Sequence, residues 1–131
     1  KIQIESRIMG DLATNHILPT AIHYQNRLIE NAKGLKEVLD SKSFVKLSKN
    51  QLNTIKDISN HISEIKEHVE QMVEARKVAN RITNDLEQAM AYNDSVKAYF
   101  EEIRDHVDKL EMLVDDEMWP LPKYRELLFI K

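Results

Sequence analysis

The chain has no cysteine, which excludes disulfides and thiolate metal sites. It has only two glycines and three prolines, too few turn-formers for a β-sandwich or a barrel. From Leu35 to Trp119 there is neither glycine nor proline, the two strongest breakers of regular structure. No apolar run approaches the ~20 residues needed to span a bilayer. Neither charge sign dominates: 19 Lys and Arg face 22 Asp and Glu, for a net charge of −3. That balance offers nucleic acid or an anionic membrane no electrostatic hold, so neither is expected as a partner. Aromatic residues are 6% of the chain.

What is present is helical spacing. Apolar residues recur at steps of three and four through most of the chain, and the length suits one domain. A first helix is expected over about 2–39, with Ile4, Ile8, Leu12, Leu18, Ile22, Leu28, Ala32, Leu35 and Leu39 on its apolar face. Pro19 should kink it, because its ring removes one hydrogen bond and collides with the preceding turn. The start has no initiator Met, no N-cap and no apolar leader, and reads as a helix already under way in a longer polypeptide. Residues 40–47 read as the first turn. Ser48 with Gln51 forms a capping box, and Leu47 with Leu52 the staple around it, opening a second helix over about 49–92. Its heptad seam is Ile55, Ile58, Ile62, Ile65, Val69 and Met72, continued by Ala75, Ala79, Ile82, Leu86 and Ala89. The seam changes phase near Asn93, where Asn93, Asp94 and Ser95 are all good caps, so the second turn is expected there. Thr83-Asn84-Asp85, with Glu87 completing a capping box, is the rival position. A third helix follows over about 95–116, with Val96, Phe100, Ile103, Val107, Leu110 and Val114 inward. The tail, 118–131, should run extended at Trp119-Pro120-Leu121-Pro122.

The fold class expected is all-α. Two long helices form an elongated, coiled-coil-like antiparallel hairpin, and the third makes a three-helix bundle at one end. A two-helix arm, around residues 30–60, projects from it.

Few residues suggest chemistry. His61, Glu64 and His68, with Asp57 and Glu67 nearby, are the best metal-ligand candidates. However, His61 and His68 lie about 10.5 Å apart along a helix, too far for one ion with ligands near 2 Å. They read as half-buried flanking histidines, and so do His16 and His23. Glu102–His106, Arg104–Asp108, Asp105–Lys109 and Arg81–Asp85 read as i,i+4 pairs on a solvated face. Glu111, Asp115, Asp116 and Glu117 read as a solvated helix end, with a cation or a basic surface as the alternative partner. No P-loop, dinucleotide fingerprint or nucleophile elbow is present. No catalytic, cofactor-binding or metal residue is therefore expected. The tail carries a large apolar load in Trp119, Pro120, Leu121, Pro122, Tyr124, Leu127, Leu128 and Phe129; it either packs back on this chain's own bundle or, as the candidate docking segment, meets another domain or subunit.

Three strings, KIQIESRIMGDLATNHILPTAIHYQNRLIEN, HVEQMVEARKVAN and EEIRDHVDKLEMLVDDEMWPLPKYRELLF, together resemble the C-terminal region of type III glutamine synthetases. The last is the most specific, because its W-P-L-P-K-Y-R-E-L-L-F ending is no generic helix pattern. The resemblance implies a parent enzyme that joins ammonia to glutamate in a cytoplasmic double-ring dodecamer. That parent would use ATP and a divalent metal, Mg or Mn. The catalytic domain would lie upstream, and none of its motifs maps onto this chain. The expected role is a non-catalytic module bracing the subunit, with the catalytic domain and neighbouring subunits as partners. The alternative is an independent helical hairpin adaptor that binds another protein along its arm, and a bundle that binds Zn or Fe through His61 and His68 is a distant third.

Overall fold

The computed structural model describes residues 2–114. Three helical rods run through them, and no strand occurs among the described residues. The first rod comprises α1 (Ile2–Leu12), a π-helical turn (Ala13–Ile17) and α2 (Leu18–Val38). A short α3 (Ser41–Leu47) turns the chain into the second rod, α4 (Lys49–Asn80). The third rod is α5 (Asp85–Ala91), a second π turn (Tyr92–Val96) and α6 (Lys97–Leu113).

Local chemistry explains each joint. Pro19 has no N–H, and its ring would strike the carbonyl four residues back in a regular helix. The π turn ahead of it absorbs this: the Leu18 N–H reaches the Ala13 carbonyl instead. The Thr20 hydroxyl adds a 2.8 Å bond to the His16 carbonyl. The stretch expected as a loop after Leu39 is largely helix. Asp40 caps α3, its carboxylate accepting from the Ser43 N–H at 2.8 Å and the Ser43 hydroxyl at 3.1 Å. Ser48 sits where the N-cap was expected, but its hydroxyl donates back to the Phe44 carbonyl at 2.6 Å and caps nothing. The box and its staple are thus unmade, with Leu47 and Leu52 both exposed.

The second turn corrects the expectation. α4 stops at Asn80, and Arg81–Asn84 make the turn. Asn84 caps α5, its side-chain carbonyl accepting from the Glu87 N–H at 3.0 Å. The Gln88 amide closes the other side, donating to the carbonyls of Ala79 and Ile82 at 3.2 Å each. The Tyr92 hydroxyl meets the Asn80 side chain across the joint. Asn93, Asp94 and Ser95 cap no helix; they lie inside the second π turn. The phase change read as a turn is this widened turn, whose extra residue rotates the apolar face. α6 ends at Leu113, before the expected end near residue 116, and Val114 is extended.

The rods alternate in direction. Gly10 approaches Val69 and Met72, while Gln25 donates to the Ile55 carbonyl at 3.0 Å and the Ser59 hydroxyl at 2.6 Å. The first and second rods are therefore antiparallel. His61 against His106 and His68 against Tyr99 set α6 antiparallel to α4. One core joins all three. Ala13, Ile17 and Ala21 from the first rod meet Ile58, Ile65, Met72 and Ala79 from α4 and Val96, Ile103 and Leu110 from the third. Each large apolar side chain so buried contributes about 1.5–3 kcal/mol. The α4 and α6 seams match the expected ones. The first rod matches in part: Leu18 and Ala32 are buried as expected, but Ile4, Ile8 and Ile22 are 63%, 54% and 43% exposed, and Ser6, Gly10, Ala13, Ile17 and Ala21 are buried in their place.

The third rod also reaches farther than expected. The pairing of His61 with His106 carries Leu110 to the level of Ile58, so the two-helix arm shrinks to about residues 30–54. Along that arm Ala32 and Ser48 are the buried residues. The acids at 115–117 and the Pro-containing tail, 118–131, lie outside the described residues.

Candidate functional site

The most chemically loaded place on the described surface lies between α4 and α6. Glu64 and His68 are four residues apart, and so share one face of α4. His106 arrives opposite them on α6. A carboxylate oxygen of Glu64 and a ring nitrogen from each of His68 and His106 lie within 4.8 Å of one another. His61 completes the group one turn earlier on α4. Its Nδ1 is 2.9 Å from His106 Nδ1, so one of the two nitrogens donates and the other accepts.

The rings are packed. His61 and His106 have centroids 5.2 Å apart, His68 and His106 5.9 Å, and His68 and Tyr99 6.3 Å. All three histidines are half-buried, whereas Glu64 is exposed. His68 Nδ1 lies 2.6 Å from the backbone carbonyl of Glu64, four residues back. A carbonyl can only accept, so this nitrogen donates, and in the neutral ring Nε2 is the one left with the lone pair. The Glu64 carboxylate is 3.6 Å from the same nitrogen. Burial first, then the charges of His106 and Lys109, hold His61 below the usual histidine pKa; Asp57 and Asp105 pull against them.

Sequence reasoning placed His106 on a solvated face with Glu102, and the fold turns it inward instead. The distance that separates His61 from His68 along one helix is bridged by His106 from another. His16 and His23 are exposed on the first rod, and neither belongs to this group. Of the expected i,i+4 pairs, Asp105–Lys109 closes at 3.0 Å. Beyond Tyr99 an open groove of about 510 Å³ runs between α4 and the second π turn, floored by Ala75, Val78, Ala79 and Ala91. The candidate docking residues Trp119, Pro120, Leu121, Pro122, Tyr124, Leu127, Leu128 and Phe129 lie outside the described residues. No helix among the described residues is long and apolar enough to cross a membrane.

Comparison with known proteins gives a consistent picture. Residues 1–36 match the family of the glutamine synthetase C-terminal domain. Over its full length the chain is 55% identical to a glutamine synthetase of Bacteroides fragilis (strain YCH46), covering 18% of that protein. With 99% of its length it is 28% identical to a type-3 glutamine synthetase of Dictyostelium discoideum, again 18% of that protein. With 98% of its length it is 26% identical to a glutamine synthetase of Butyrivibrio fibrisolvens, also 18% of it. The resemblance to the C-terminal region of type III glutamine synthetases is thus borne out. The chain spans about a fifth of the length of these relatives.

Proposed function

We propose that this chain is the helical, non-catalytic C-terminal module of a type III glutamine synthetase, and that it braces the subunit and its contacts with neighbouring subunits. In this reading the parent joins ammonia to glutamate in the cytoplasm, with ATP and a divalent metal held by a catalytic domain elsewhere in the polypeptide. The described residues do not suit that metal. Their one metal-capable cluster offers two imidazoles and a carboxylate, whereas Mg²⁺ takes oxygen ligands in near-octahedral order.

The observation that carries the bracing role is the arm. At its tip Val38, Val45 and Leu47 are 77%, 70% and 58% exposed. A two-helix projection with so few buried residues and an apolar end gains from a surface to rest on. The aromatic and aliphatic tail from Trp119 to Phe129, read from the sequence, belongs to the same proposal as a second docking element.

The test replaces Val38, Val45 and Leu47 together with aspartate in the complete polypeptide. The helical circular-dichroism signal should persist, while the assembled mass falls and glutamine formation drops with it. Intact assembly and undiminished activity would defeat the bracing role and turn the reading to a hairpin adaptor.

A further inference from the structure

We propose that Glu64, His68 and His106 form a binding site for one transition-metal cation of the Zn²⁺ type, which ties α4 to α6. This inference does not depend on the parent's activity.

Three observations carry it. First, a carboxylate oxygen of Glu64 and one ring nitrogen of each histidine already come together. They lie within 4.8 Å of one another, and ligands about 2.0–2.1 Å from a tetrahedral ion are about 3.3 Å apart. Glu64, whose side chain is 49% exposed, is the ligand on the solvent side. Two rods supply the ligands, so the site exists only in the folded packing. Second, the donor set is selective. Two imidazoles and one carboxylate suit Zn²⁺ and its Co²⁺ or Ni²⁺ analogues. Mg²⁺ and Ca²⁺ would find a single oxygen-bearing side chain.

Third, the rings are oriented as ligands are. The 2.6 Å bond from His68 Nδ1 to the Glu64 carbonyl leaves Nε2 of the neutral ring as the ligand atom, so the Glu64 carboxylate, now 3.6 Å from Nδ1, turns toward Nε2 to share the ion. Metal-binding histidines nearly always donate their other ring N–H in this way. His106 has an equivalent partner: donating from Nδ1 to His61 Nδ1, 2.9 Å away, leaves its own Nε2 as the lone pair. His61 is then a positioning residue. Water fills the fourth position from the exposed side beside Glu64.

The experiment titrates Co²⁺, then Zn²⁺, into the full chain after treatment with a chelator. Visible ligand-field absorption and stoichiometry are recorded, and circular dichroism confirms that each variant keeps its helices. The wild type should bind one Co²⁺ per chain, displaced by Zn²⁺, and Zn²⁺ should raise its melting temperature. His68→Asn and His106→Asn should each abolish the absorption and the thermal shift. His61→Ala should weaken binding by about 10–100-fold. His23→Ala, on another rod, should change nothing. Should a ligand variant fail to fold, the histidine ring ¹⁵N signals of the wild type decide: Zn²⁺ must move those of His68 and His106 and spare those of His23. No stoichiometric binding by the wild type, or equal loss in His23→Ala, would overturn the proposal.

Discussion

Gly10 sits inside a helix, on the face that meets α4, where a missing side chain costs backbone entropy and gains no contact. A Cβ built there would stand 3.7 Å from the Met72 methyl and 3.9 Å from a Val69 methyl, ordinary van der Waals distances. Gly10→Ala should therefore stabilise the chain by about 0.5–1 kcal/mol, seen as a higher midpoint in urea with unchanged slope. A lower midpoint would mean the two rods pack closer than this. Asp40 makes a prediction of another kind. Its bonds to the Ser43 N–H and hydroxyl hold its pKa below the ordinary aspartate value. A carboxylate lowered in the folded state stabilises it above the unfolded pKa, and that stabilisation is lost as pH falls through the folded pKa. The Asp40 carboxyl carbon should thus titrate below the midpoint of a peptide aspartate. Amides of α3 should lose their helical shifts over the same acidic range, and Asp40→Ala should remove that coupling.

The joints between elements separate what the sequence makes legible from what it hides. Capping chemistry was present at both candidate second turns, and the seam's change of phase favoured the wrong one. A π turn and a loop leave the same trace in an apolar pattern, since each adds residues that rotate the seam. The difference lies in bonds that pattern does not display: Gln88 closing back on Ala79 and Ile82, and Tyr92 on Asn80. The position of that turn also decides the site. A hairpin pivoting near residue 83 carries His106 back to His61. One pivoting near 94 would bring it only to the level of about residue 82. His106 was therefore invisible as a member of the cluster until the turn was placed. Two substitutions check the assignment. Asn84→Ala should cost about 1 kcal/mol, the worth of a lost N-cap. Asn93→Ala, inside continuous helix, should be neutral or slightly stabilising, because alanine is the better helix former. Equal losses at both would show that the chain also breaks near Asn93.

Across the whole molecule, burial is uneven in a way that the seams alone do not express. α4 announced its inward face because large residues recur every seven positions at Ile58, Ile65 and Met72, with Ala79 completing the series. The first rod concealed its own, because helices that approach closely bury small residues, here Ser6, Gly10, Ala13 and Ala21, which add little to an apolar pattern. Ile4 and Ile8 consequently face outward, and Ile8 lines a small apolar groove of about 180 Å³ with Met9, Leu12 and Phe100. The three-rod part holds nearly all the fully buried large side chains, whereas residues 30–54 hold Ala32 and Ser48 alone. Segments with few buried contacts open at lower free energy than the core around them. Hydrogen exchange followed by mass spectrometry should therefore divide the chain. Peptides from 58–79 and 96–110 should exchange last and together, at the rate of global unfolding, while those from 30–54 exchange earlier through local opening of the arm. In an assembled complete polypeptide the arm should slow, while the three-rod part changes little. That slowing is the signature of an apolar tip resting on a neighbour. Equal protection of arm and bundle in the isolated chain would mean that the arm is held by its own helices, and the exposed Val38, Val45 and Leu47 would then need another explanation.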